Sequence, residues 1–90
     1  MGEVAVTLKV MPDDMSEFDG LKAKIMSTLQ NETGGVVKRA KIMEQDIAFG
    51  MKAVVVMFVM DDSGGVDSVE QKINSLPHVS SCDCESVDRL

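Results

Sequence analysis

Residues 47–62 read IAFGMKAVVVMFVMDD. Met51 to Met60 is rich in Val and apolar from Ala53 onward, the pattern of a strand at the centre of a sheet. Before it, Val36 to Glu44 is more polar and reads as an edge strand, with Gln45 to Gly50 as the connection. After it, Asp61-Asp62-Ser63-Gly64-Gly65 reads as a turn. Val66, Val69, Ile73 and Leu76 then recur on one helical face, and Pro77 ends that helix. Val79 to Val87 is the last strand.

The N-terminal third completes the pattern. In residues 3–11, Val4, Val6, Leu8 and Val10 alternate with Ala5, Thr7 and Lys9, which predicts a half-buried strand. Pro12-Asp13-Asp14 closes it. Ser16 is placed as a helix N-cap with Asp19 three residues on. Phe18, Leu21, Ile25 and Leu29 then form one apolar face. Gly20 weakens this helix by about 1 kcal/mol, and Gly34-Gly35 stops it. The order β-α-β-β-α-β predicts a ferredoxin-like α+β sandwich, a four-stranded antiparallel sheet with two helices on one face. That topology puts Phe49 at one end of the sheet and Arg89 and Leu90 at the other, roughly 30 Å apart for ten-residue strands.

The chain has 90 residues, which suits one domain. Nine basic against fifteen acidic residues leave a net charge of −6, which argues against a nucleic-acid binder that tracks phosphates. The middle of the chain is mildly basic, with Lys38, Arg39, Lys41 and Lys52 against Glu44 and Asp46, and both ends are acidic. Signal-peptide and lipidation patterns are not found, and the longest apolar run is too short to cross a bilayer. The expected compartment is the cytoplasm, with no membrane partner.

Few residues offer chemistry. Cys82, Cys84 and His78 are the only soft metal ligands, one short of the usual structural zinc set. If Val79–Val87 is a strand, both cysteines share a face and read as small core residues of a reduced protein. His78 reads as a surface turn residue. Asp13-Asp14 and Asp61-Asp62 read as solvated turn acids rather than metal sites. The glycine pairs match no phosphate loop, and no nucleophile–base pair is evident, so neither cofactor nor small-molecule substrate is expected. Phe49-Gly50-Met51-Lys52-Ala53-Val54-Val55-Val56-Met57-Phe58 faintly resembles an RNA-recognition strand. The open sheet face would, however, show Ala53, Val55 and Met57, with no ring to stack on a base. That apolar face reads either as a tolerated surface or as a contact for a partner. Phe49, between Ala48 and Gly50, has little nearby to cover it: the ring either folds back onto the end of the sheet or is an anchor for a partner's pocket.

The start EVAVTLKVMPDD, the hairpin I-A-F-G-x-K, the acids Asp61-Asp62, the glycine-initiated helix and the end VDRL together resemble the archaeal elongation factor 1-beta family, over essentially all 90 residues. The resemblance implies a guanine-nucleotide exchange factor for the GTPase elongation factor 1-alpha, acting in translation elongation without covalent chemistry of its own. It also implies site residues. Arg89 matches the basic residue that eukaryotic relatives direct at the GTPase's magnesium and phosphate site. Those relatives use Lys there, and Arg presents a planar fork instead of a compact ammonium. Phe49, with Gly50 and Lys52 of the hairpin and Leu90 at the other end, matches partner-contacting positions. The Trp that eukaryotic relatives carry after the first strand is replaced by Met11 or Pro12. Two other classes of function fit the residues: a small ferredoxin-like regulatory domain that binds a ligand, and a metal-trafficking domain using Cys82 and Cys84.

Overall fold

The computed structural model describes residues 2–31, 37–61 and 65–90. Strand β1 (Glu3–Pro12) leads through a 3-10 turn (Met15–Glu17) into helix α1 (Phe18–Asn31). Strands β2 (Val37–Ala48) and β3 (Met51–Asp61) form a hairpin; helix α2 (Val66–Asn74) and strand β4 (Val79–Arg89) follow. The sheet order is β2-β3-β1-β4 and every pairing is antiparallel. The ferredoxin-like α+β fold expected from the element order is therefore present. The helix stop at Gly34-Gly35, the strand start at Val36 and the turn residues Asp62, Ser63 and Gly64 lie outside the described residues.

Alternation in β1 and β3 builds the core. Val4, Val6, Leu8 and Val10 of β1 and Val54, Val56, Phe58 and Met60 of β3 are buried on one face. Phe18, Leu21, Ile25 and Leu29 of α1 and Val69 and Ile73 of α2 complete the same cluster. Nine of these side chains, from Leu8 to Val56, are below 2% exposed; burying each contributes roughly 1.5–3 kcal/mol. Thr28 is the buried polar side chain of α1, and its hydroxyl donates to the Lys24 carbonyl at 2.8 Å.

Several boundaries differ from expectation for identifiable reasons. The cap before α1 is Asp14, not Ser16: the Asp14 carboxylate accepts the Ser16 backbone N–H at 3.0 Å and its hydroxyl at 2.7 Å. These two bonds hold the Asp14 carboxyl below its usual pKa. The 3-10 turn this creates delays the α-helix to Phe18. Pro12 does not end β1 but is its last residue, buried and opposite Val79, a terminal place where a missing N–H is tolerated. β4 runs two residues past Val87 because the chain keeps pairing with β1 as far as Arg89 opposite Val4. Ala53, expected on the open face, is fully buried; its methyl sits opposite Gln45 and is too short to reach solvent between longer neighbours.

Candidate partner-binding ends

The largest departure from the sequence reading is at the hairpin. β2 continues through Ala48, and only Phe49 and Gly50 connect it to Met51. Both turn residues have positive φ, 53° and 76°, the pattern of a two-residue type I′ connection whose twist matches the strands it joins. Gly50 adopts this freely. Phe49 does not: a bulky residue in the left-handed region is an outlier, at roughly 1–2 kcal/mol. Ile47 sits at a register shift in β2 just before the turn.

The tip also projects. β1 last pairs with β3 at Val10–Val54, whereas the β2–β3 ladder continues through Lys52 and Met51. The end of the hairpin is thus a two-stranded ribbon without a third strand beside it. Phe49 is fully exposed (103%), with Ile47 and Met51 beside it also exposed. Lys52 is not free. Its ammonium reaches Glu44 Oε1 at 3.3 Å, and Lys22 of α1 bonds the other oxygen of Glu44. This bridge ties the base of the ribbon to α1. Lys22 and Lys52 together hold the Glu44 carboxyl below its ordinary pKa, and Glu44 raises that of Lys22.

At the opposite end, Arg89 is exposed and has no ion-pair partner among the described residues. Leu90 is 68% exposed, and its backbone N–H donates to the Glu3 carbonyl at 2.9 Å. Nearby, Lys38 is clamped between Glu3 (2.9 Å) and Asp61 (3.0 Å), which raise its pKa in that order. The molecule is 43 Å in its longest dimension, more than ten-residue strands allow. The structure therefore brings Phe49, Gly50 and Lys52 together and sets Arg89 and Leu90 at the far end of the same sheet.

The other candidates resolve as follows. Cys82 and Cys84 lie opposite Val10 and Leu8, on one face as the two-residue spacing predicts. Only Cys82 is buried; Cys84 is exposed, a correction to reading both as core. β4 is an edge strand with a register shift between the residues facing Leu8 and Thr7, so cover over Cys84 is thin. Burial, then the charge of Glu70, pushes the Cys82 thiol up to about 12. Such a thiol stays protonated at neutral pH and is a poor metal ligand or nucleophile. Among the described residues no group of three His, Cys, Asp or Glu is placed to hold a metal. His78 lies in the turn before β4, exposed as expected, with Nδ1 3.3 Å from Asp13. Its left-handed φ of 69° was not legible. Among the described residues no helix is long and apolar enough to cross a membrane. An open groove between α1 and α2 is lined by Lys24, Ser27, Thr28, Ser68, Gln71 and Leu76.

The structure is a small α+β sandwich with an exposed aromatic at one end of its sheet and an exposed arginine at the other. The fold itself recurs in the designed protein Foldit4, at a TM-score of 0.66 and 15% identity over 98% of this chain and 96% of that one. Residues 5–90 match the model of the EF-1 guanine nucleotide exchange domain. The chain is 36% identical to elongation factor 1-beta of Methanobrevibacter smithii, over all of this chain and 99% of that protein. It is equally similar to that of Halobacterium salinarum, over the whole of both, and 35% identical to that of Methanothermobacter thermautotrophicus. The chain belongs to the EF-1 guanine nucleotide exchange domain family. It is a nucleotide exchange factor of translation elongation.

Proposed function

We propose that this chain, acting in the cytoplasm as one exchange unit over residues 1–90, promotes GDP release and GTP reloading on elongation factor 1-alpha. The observation that carries the assignment of the site is Phe49: a ring fully exposed on a projecting turn, in a backbone conformation that opposes it. Strain of this kind persists where surrounding structure or function requires it. Nothing inside the chain is gained from the ring, so a pocket on the partner is its natural destination. Gly50 permits the turn, and Lys52 braces the ribbon through Glu44.

Arg89 and Leu90 act at the other end. A guanidinium brought to the GTPase's magnesium and phosphate site competes with the metal for negative charge and weakens nucleotide binding. By linkage, nucleotide must weaken the exchange factor's own binding by the same factor, so GTP reloading releases it. Anchoring at one end and acting at the other explains why the two groups are held apart by the length of a sheet. No bond is made or broken by this protein in such a mechanism.

The test is to load elongation factor 1-alpha with a fluorescent GDP and follow its release. Catalytic amounts of the chain should accelerate release. Spontaneous rates over a wide range of concentration, with the folded chain present, would overturn the proposal.

A further inference from the structure

Glu44 occupies a particular rung of the sheet. It pairs with Val54 of β3, and Val54 is also the last β3 residue to pair with β1, at Val10. On one side of this rung the hairpin lies beside a third strand. On the other it is the two-stranded ribbon that carries Phe49. Lys52, on the ribbon, reaches Glu44 Oε1 at 3.3 Å, and Lys22, on α1, holds Oε2. One carboxylate therefore joins the helix layer, the last supported rung and the ribbon. Lys22 is itself held. Besides Glu44 it meets Asp19 Oδ1 at 3.4 Å, and its ammonium stands 5.2 Å from the centre of the Phe18 ring, within cation–π range. Phe18 is buried in the core cluster, so the grip is seated on the rigid part of the molecule. Among the described residues no other ion pair links the hairpin to a helix.

We propose that Lys22 is a positioning residue for nucleotide exchange: by gripping Glu44 at the root of the ribbon, it fixes the direction in which the ribbon carries Phe49 to the GTPase. The inference rests on the reading of Phe49 as the anchor. Lys22 touches neither the GTPase nor its nucleotide in this scheme; it acts through Glu44 and Lys52. The need for such a device follows from the ribbon. Two-stranded hairpins are marginally stable by themselves and twist more than full sheets, so the ribbon does not set its own direction. Exposed carboxylate–ammonium pairs contribute little to folding, and the effect of this network falls on geometry instead.

The lever is long enough to matter. Phe49 is five residues beyond Glu44, about 16 Å of strand at ~3.3 Å each. A swing of about 10° at the root, small beside the roughly 20–25° twist between neighbouring strands, displaces the tip by about 3 Å. That takes a ring off a fitted pocket. A ribbon already aimed loses less freedom when it docks, and the saving shows as affinity. Arg89 works from the far end of the sheet, so the rate of release in the fully bound complex is untouched. Loss of the Lys22 charge therefore changes how much exchange factor is needed, not how fast the saturated GTPase turns over.

The experiment compares the full chain with Lys22→Met, which removes the charge, and Lys22→Arg, whose guanidinium can both stack on Phe18 and pair with Glu44. The first readout needs no GTPase. Backbone order parameters of amides 45–52, from nitrogen-15 relaxation and residual dipolar couplings, should match the core at about 0.85 in the parent and Lys22→Arg, and fall toward about 0.6 in Lys22→Met. The second readout is release of fluorescent GDP from elongation factor 1-alpha as the chain is titrated. Lys22→Met should raise the half-saturating concentration roughly three- to tenfold, the size of an ordering cost otherwise met in advance. The release rate at saturation should be unchanged, and Lys22→Arg should restore the parent value. A ribbon as well ordered in Lys22→Met as in the parent, or no recovery in Lys22→Arg, overturns the proposal. So does a large fall in melting temperature, which would make Lys22 a residue of the fold. Phe49→Asn is titrated alongside. If it raises the half-saturating concentration and Lys22→Met does not, the anchor stands and the positioning role fails. If neither does, the anchor reading fails and takes this inference with it.

Discussion

Replacing Phe49 by Asn should make this protein more stable and less active. The ring is 103% exposed, so its removal opens no cavity and forfeits no buried area. The backbone at this position is left-handed with φ 53°, which costs a bulky residue roughly 1–2 kcal/mol. Asn tolerates that region and, before a glycine, is a preferred first residue of a type I′ turn. Recovering about half the strain gives about 0.5–1 kcal/mol. In a domain of this size that raises the melting temperature by roughly 2–8 °C. Losing a central aromatic anchor should weaken binding to the GTPase by about 2 kcal/mol or more, about thirtyfold. Calorimetric melting and GTPase titration on the same sample read the two effects with opposite signs. A melting temperature lowered by more than about 5 °C would show that the ring contributes to folding. Unchanged GTPase affinity would show that it is no anchor.

Arg89→Ala should leave melting unchanged, because the side chain is exposed and unpaired, and should slow nucleotide release more than it weakens binding. Arg89→Lys should retain most activity, and an alanine variant with full exchange activity would refute the role. Cys84 should react with a thiol reagent at pH 8 in the native protein while Cys82 waits for denaturant; equal rates would contradict the burial of Cys82. The folded state holds the Cys82 thiol near 12 against 9 when free, so it favours the protonated form. Its contribution is fully present below pH 9 and is lost as pH rises from 9 toward 12. Cys82→Val should flatten melting curves across that range, and an unaltered alkaline slope would argue otherwise. Glu44 has the opposite sign. Its carboxyl is held below 4.5 by Lys22 and then Lys52, so its contribution is present above 4.5 and fades as pH falls through the depressed value. Glu44→Gln should reduce the loss of melting temperature on acidification, and an identical acid profile would count against the bridge.

The fold was legible because its signals are local and repeated. Val4-Val6-Leu8-Val10 and Val54-Val56-Phe58-Met60 have a period of two, and Phe18-Leu21-Ile25-Leu29 the period of a helix. Element order did the rest, since few topologies pair such strands without crossing. The site was legible only as residue types. Phe49 stood out because nothing adjacent could cover it. Its left-handed backbone did not, because Gln45 to Gly50 reads as a loose connection when Asp46 and Gln45 are polar. Gln45 and Asp46 are both exposed at the projecting end of β2, so the alternation that marks a half-buried strand is lost there. The Lys22–Glu44–Lys52 bridge joins pairs 22 and 8 positions apart and left no trace in the sequence pattern. Burial of Cys82 but not Cys84 depends on how thinly an edge strand is covered, which a two-residue spacing does not reveal.

The lengths of the elements explain why the proposed functional residues sit where they do. Helix α1 has 14 residues and spans about 21 Å, and α2 has nine and spans about 14 Å. Strand β3 has 11 residues and spans about 36 Å. Two helices this short cannot cover a sheet this long, so apolar cover fails at its ends. The residues beyond it, Phe49 with its neighbours at one end and Arg89 with Leu90 at the other, contribute little to folding. They are accordingly free to carry an exposed ring and an unpaired cation. The middle of the sheet, where Leu8, Val56 and Ile25 are fully buried, supplies the rigidity that keeps the two ends at a fixed separation. Shortening β2 and β3 by a matched pair of residues on each side of the turn should therefore leave the core intact while drawing the tip about 7 Å closer to Arg89. If Phe49 anchors while Arg89 acts, such a chain should bind through one end or the other, but should lose exchange activity far more than either single substitution. Retained exchange by the shortened hairpin would show that the separation of the ends is not part of the mechanism.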